Sequence, residues 1–336
     1  SARRAVTAAE GTLGRLRRFS RGPHRWLALG IAAALFVVQC VVAFRRLPEL
    51  QPAWGAVVVL VLVGTPLNLL ATGVEYALVA RLLDQRPGTG QTLRISFLAS
   101  ASNLLPVPGS VFVRGASLRA GGARYRHLTA GVAAQGLAFL SVTGLFSGAV
   151  LLLGGNPGLG LAGLAVGVAT LVTSVRLLAR VTERPFAWAG RLLAGELFVL
   201  AVTAVRIWIA ALALGFRLAP PGTAALTAAS VAATATGIFP GGLGICVALS
   251  AAVSPLVRLP ASVGVLIGAV DRIAFLIGLG LAGAAIALSP GGRRALRPES
   301  VGAGESVGAG ESVGAGESVG PAPSAGPGEV EEQPGH

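Results

Sequence analysis

The chain has 336 residues, of which 53% are apolar and 12% charged, with mean hydropathy +0.74 and a net charge of +13. A soluble domain carries roughly a quarter charged residues, so these charges cannot cover a water-facing surface, and lipid must solvate much of the chain. The positive charge is all arginine and sits between apolar runs, which is how membrane topology is written and which excludes a nucleic-acid partner.

In chain order, a basic head over residues 1–25 carries seven arginines, and residues 26–44 then form an uncharged run of membrane-spanning length. Arg17-Arg18-Phe19-Ser20 faintly resembles a twin-arginine signal. The apolar run is long for a signal, however, and no small-x-small cleavage site follows it, so a retained first helix is expected. Further apolar runs cover 55–83, 95–107, 128–153, 158–175, 192–216, 223–239, 245–257 and 261–289. Two clusters interrupt them, Leu105-Pro106-Val107-Pro108-Gly109-Ser110 and Phe239-Pro240-Gly241-Gly242-Leu243-Gly244. Proline lacks the N–H donor and glycine adds backbone entropy, so helices stop there. At membrane depth, broken backbone survives only where protein or water satisfies it.

The arginines decide how the broken segments run. If each is a re-entrant pair leaving on the side where it entered, 21 arginines are cytoplasmic, four lie outside and two are within the bilayer. If runs 95–107 and 223–239 cross fully, the split is 14 to 11. The positive-inside rule prefers the first arrangement. The expected fold is therefore an all-α polytopic bundle over residues 26–290, with about six spanning helices and two re-entrant broken-helix pairs. An inverted repeat is compatible with it, and both termini are cytoplasmic in a cell inner membrane. The exclusive use of arginine, with no methionine, fits the codon bias of a GC-rich bacterium. From Glu299 a Glu-Ser-Val-Gly-Ala-Gly period recurs, and a stretch so rich in glycine and serine cannot bury a core; residues 291–336 are expected to be a disordered tail.

Apart from Arg81 near the end of its run, the apolar runs contain few charges: Glu75, Glu196, Arg206, Asp271 and Arg272. A charge at the bilayer centre costs ~2.5–3.5 kcal/mol on insertion scales, so each should face the bundle interior or reach an interface. If runs 192–216 and 261–289 pack together, Arg206 and Asp271 can pair at mid-depth, leaving Arg272 to face a polar cavity. The plainer reading is that these charges merely lock two helices. Glu75 and Glu196 are close enough to Arg81 and Arg191 to snorkel to the inner interface, and that reading is favoured. Arg114, Arg119, Arg124 and Arg126, with Tyr125, form a basic amphipathic stretch that suits acidic lipid. The two breaks would leave helix ends unpaired, and such ends suit an anionic head group or a phosphate. Candidate binding residues are therefore Pro106, Pro108, Gly109, Arg114, Arg206, Pro240, Gly241, Gly242, Gly244, Asp271 and Arg272. No metal spacing, phosphate loop or nucleophile elbow is present, the glycine-rich 158–167 reads as close helix packing, and Cys40 and Cys246 lie in apolar stretches. No cofactor and no enzymatic activity are expected.

At three places the chain resembles the lysylphosphatidylglycerol synthase transmembrane-region family, the membrane part of multiple peptide resistance factor proteins without the synthase domain. They are Asn103-Leu104-Leu105-Pro106-Val107-Pro108-Gly109-Ser110 with Arg114, Phe239-Pro240-Gly241-Gly242-Leu243-Gly244-Ile245, and Arg272 in a late helix. Together they cover most of residues 26–290. Many relatives have a glutamate just after each break, where this chain has Ser110 and Val247. The resemblance implies lipid translocation or lipid-linked transport, while the helix ends and arginines are what point to an anionic lipid or lipid-linked phosphate as ligand. The alternative is a non-transporting subunit that scaffolds an envelope-biosynthesis or lipid-modifying enzyme. An ion or drug exporter would need a chain of buried acids, for which Asp271 alone is thin support.

Overall fold

A computed structural model describes residues 23–46, 52–103, 109–236 and 244–288, and among them every regular element is a helix. The basic head before residue 23, the tail from 289, and Pro106, Pro108, Pro240, Gly241 and Gly242 lie outside the described residues. The elements in chain order are α1 (Pro23–Arg45), α2 (Trp54–Leu82), α3 (Thr89–Ser102), α4 (Gly109–Ala120) and α5 (Tyr125–Leu153). There follow α6 (Pro157–Leu178), α7 (Pro185–Ala213), α8 (Pro220–Thr236), α9 (Ile245–Val253) with a 3₁₀ turn over Ser254–Val257, and α10 (Ala261–Leu288).

The chain is an all-α polytopic membrane protein. Five described helices, α2, α5, α6, α7 and α10, are long and apolar enough to cross a bilayer, and α1 is the first helix expected from its apolar run. The distribution of polarity is inverted relative to a soluble protein. Leu62, Val63, Leu161, Val166, Val172, Ile277 and Leu281 point outward, while Glu196, Arg206, Asp271 and Arg272 are buried. Only lipid makes that arrangement favourable.

Both broken segments are helical hairpins that return to the side they came from. Arms α3 and α4, of 14 and 12 residues, reach ~21 and ~18 Å at 1.5 Å per residue, short of a ~30 Å hydrocarbon core. The start and finish of this hairpin lie together, because Gln85 Nε2, just before α3, donates to Leu118 O near the end of α4 at 2.7 Å. At the second hairpin, Gly222 of α8 abuts Leu259, just past the 3₁₀ turn. The start of α2 bonds the end of α7, Ala53 N to Ala213 O at 2.8 Å, so those spans are antiparallel. The two hairpins consequently enter from opposite ends of the bundle.

Two local details differ from the sequence reading. Run 55–83 is interrupted by a π turn over Leu60–Gly64. Pro66 lacks the N–H that would bond four residues back, and the π turn absorbs the defect. The basic stretch 114–126 is not one interfacial helix: α4 ends at Ala120, Gly122 sits at φ +100° where a side chain would be strained, and Arg124 precedes α5. Arg119, Arg124 and Arg126 are exposed, but Arg114 turns inward.

Helices α5 and α6 pack backbone to backbone, as the glycines of 158–167 suggest. A Cβ on Gly148 would lie 2.7 Å from Leu164 N and 2.8 Å from Gly160 O, and one on Gly167 would lie 2.7 Å from Leu145 N. Ser141 Oγ donates to Thr170 Oγ1 at 3.0 Å and Ser174 Oγ to Ala134 O at 2.9 Å across the same seam. Gly148→Ala should therefore cost about 1–3 kcal/mol and lower the melting temperature in detergent. Gly158→Ala, with open space at its Cβ, should leave that temperature unchanged.

Candidate functional site

A cavity of about 640 Å³ lies where the two hairpins approach each other. The flanks of both breaks contribute: Asn103, Ser110 and Arg114 from the first hairpin, and Ser230, Val231 and Ala233 from the second. The spanning helices α2, α5, α7 and α10 complete the wall, α2 supplying Asn68 and Glu75 and α10 supplying Arg272 and Phe275. Across the first break, Asn103 Oδ1 accepts the Ser110 backbone N–H at 3.0 Å. That bond satisfies one of the orphan donors that open α4. Gly109 begins α4 against Ser102, where a Cβ would lie 2.5 Å from Ser102 O. Gly244 precedes α9 with φ +82°, a conformation glycine adopts without strain.

The deeper polar layer is built around Arg206. Its Nη2 donates to Asp271 Oδ1 at 2.7 Å and its Nη1 to Asn68 Oδ1 at 2.9 Å. Its guanidinium also lies 5.1 Å from the centre of the Phe275 ring. The mid-depth pair considered from the sequence thus forms, and Asn68 adds a third helix to it. Gly64 in the π turn leaves room for the Arg206 stem, since a Cβ there would lie 3.3 Å from Arg206 Cγ.

Arg272 adjoins this layer without joining it. Its Nη2 reaches Ser230 O and Oγ at 3.4 Å each, and its Nε has no hydrogen-bond partner. Among the described residues no carboxylate lies within ion-pair distance of it, although it is 7% exposed.

The second polar layer corrects the expectation that Glu75 and Glu196 snorkel to the interface. Glu75 is buried and accepts from Arg114 Nη1 at 3.1 Å, and Arg114 Nη2 also donates to Thr72 O at 3.3 Å. Glu196 is 4% exposed, with its carboxyl turned toward Glu75 and Gln135. Both acids lie on the helix faces that look into the cavity, so packing draws them inward rather than toward Arg81 or Arg191. Nearby, Tyr76 Oη and Ser117 Oγ are 2.7 Å apart, fixing α4 against α2.

Of the candidates read from the sequence, Arg114, Arg206 and Arg272 meet at one cavity, and Asp271 supports it from behind. Gly109 and Gly244 shape the hairpins. The sequence reading missed Asn68, Gln135, Ser230 and Phe275 as cavity residues. Asn68 and Gln135 are uncharged polar residues inside apolar runs, and that signal was available. Ser230 and Phe275 carry no such mark. Among the described residues no group of three metal-ligating side chains forms. Comparison with family models, with curated proteins and with solved structures returns no match.

Removing one partner of a buried pair leaves an uncompensated charge. Asp271→Asn should destabilise the protein by ~3–5 kcal/mol, read as a lower melting temperature in detergent. Replacing both partners, Arg206→Met with Asp271→Leu, should recover most of that loss.

Proposed function

We propose that this multi-pass membrane protein handles a lipid or lipid-linked substrate through an anionic head group, as a flippase-like translocator rather than an enzyme. The observation that carries this reading is Arg272, a buried guanidinium in a membrane cavity with no carboxylate partner among the described residues. A buried cation without an anion is costly. A phosphate or phosphodiester brought by the ligand removes that cost. Arg114 lines the same cavity and is already half-engaged by Glu75, so a second cation stands near the path.

Size and placement support the reading. About 640 Å³ falls within the 300–1,000 Å³ typical of ligand sites. The cavity joins the flanks of two hairpins that enter from opposite ends, the arrangement by which broken helices bring their termini to a substrate. The apolar outer faces leave acyl chains in the bilayer while the head group occupies the cavity. The resemblance at the two breaks and Arg272 to the lysylphosphatidylglycerol synthase transmembrane-region family points the same way. The arginine asymmetry supports cytoplasmic termini in a cell inner membrane, and the exclusive use of arginine without methionine supports a GC-rich bacterial source.

The test is transfer of a labelled phosphatidylglycerol between leaflets of proteoliposomes. The intact protein should accelerate transfer above protein-free vesicles, and Arg272→Ala should reduce the acceleration by roughly tenfold or more. Equal, background-level transfer in both would sink the translocator reading and favour a scaffolding subunit for an envelope enzyme.

A further inference from the structure

A driving ion would act at the second polar layer. Glu196 Oε2 is fully buried and has no hydrogen-bond partner among the described residues. The charged and titratable groups that line its cavity come from four helices: Glu75 and Tyr76 from α2, Arg114 from α4, Arg206 from further along α7, and Arg272 from α10. Helix α5 presents only uncharged residues on this side, Gln135 being the polar one, α3 and the residue after it present Ser100 and Asn103, and α6 gives nothing to the cavity. From α8 come Ser230, Val231 and Ala233, and from α10 Arg272 and Phe275. Tyr76 is engaged by Ser117, and Arg206 by Asp271 and Asn68. Ten residues separate Arg206 from Glu196 on one helix, ~15 Å along the axis. At the level of Glu196, two carboxyls therefore face one guanidinium.

We propose that Glu75 and Glu196 together hold one exchangeable proton, taken up with the anionic head group and released after it, so that lipid transfer is proton-coupled. Charge balance links the two layers. In the deeper layer Arg206 is neutralised by Asp271, and Arg272 leaves a surplus of one positive charge. In the acid layer Arg114 neutralises one carboxylate, and the other leaves a surplus of one negative charge. An anion at Arg272 cancels the first surplus, and a proton on the acid pair cancels the second. The loaded cavity is then locally neutral in both layers, as a low-dielectric interior requires. A protonated carboxyl also supplies the O–H donor that two facing carboxylates lack. The carboxyl O–H forms as a hydronium O–H breaks, leaving water, and on release the carboxyl O–H breaks as water takes the proton back.

The coupling clause rests on the translocator reading, while the proton site does not. Two measurements on the full chain separate them. In nanodiscs, infrared spectra of the intact protein should show a C=O stretching band of a buried carboxylic acid. The band should vanish in the isosteric Glu196→Gln or in Glu75→Gln. In proteoliposomes, transfer of labelled phosphatidylglycerol should respond to an imposed pH gradient by up to about tenfold per pH unit for one coupled proton. Glu196→Gln should transfer at one rate with or without the gradient. Absence of the band from the intact protein, or its survival in both variants, overturns the proton site. A gradient response that persists in Glu196→Gln overturns the coupling. If no lipid moves under any condition yet the band is present and lost in Glu196→Gln, the proton site stands and the translocator reading falls. Should a variant fail to fold, the pH titration and deuterium shift of the band in the intact protein decide alone.

Discussion

The bundle depends on one arginine. Arg206 of α7 reaches Asp271 of α10 at 2.7 Å and Asn68 of α2 at 2.9 Å, and so ties three spanning helices at one depth. In lipid, apolar surfaces give helices little reason to choose one neighbour over another, because the acyl chains are as apolar as leucine. A buried charge is different: its cost falls only when a specific partner is placed beside it. The tie therefore sets which helices are neighbours and in what register. The π turn at Leu60–Gly64, forced by Pro66, fits around it by bringing Gly64 under the arginine stem.

The cavity follows from that register. With α2, α7 and α10 held together, the short hairpins α3–α4 and α8–α9 fill the two ends, and neither reaches across. The space left between their flanks carries polar groups because the residues that face it came with the helices: Glu75 and Asn68 on α2, Glu196 on α7, Arg272 on α10. Arg114 completes the wall from α4, tied to Glu75 and to the Thr72 carbonyl. Each polar group spared an encounter with lipid was turned inward, and the inward side is where a ligand would be received. Helices α5 and α6 are joined to each other by glycine packing rather than by charge, and α5 adds Gln135 to the cavity wall.

Much of this was legible in the residue order. Membrane class followed from 12% charge, and the re-entrant character of both breaks followed from the arginine distribution. The bonds and contacts that join the two ends of each hairpin agree with it. The Arg206–Asp271 pair could be named because so few charges occupy the apolar runs. Glu75 and Glu196 went the other way. Their spacing to Arg81 and Arg191 allowed snorkelling, and nothing in the run said which face of the helix would be covered. Arg114 was read both as a binding candidate and as part of one basic stretch suited to lipid, and the turn at Gly121–Gly122 that separates it from Arg124 and Arg126 is a backbone event.

What the sequence determined by itself is the solvent and the punctuation: lipid around apolar runs, and helix ends at proline and glycine. Both are local properties, settled by transfer free energy and by φ/ψ restrictions within a few residues. Only the tertiary structure decided which intramembrane charges meet. It paired Glu75 with Arg114, 39 residues away, and Arg206 with Asp271, 65 away. Among the described residues it gave neither Arg272 nor Glu196 an ion pair of its own at the same cavity. A helix run of 29 residues offers every azimuth to its neighbours, and packing against several other helices selects one. That selection, absent from any single run, turns scattered charges into a site.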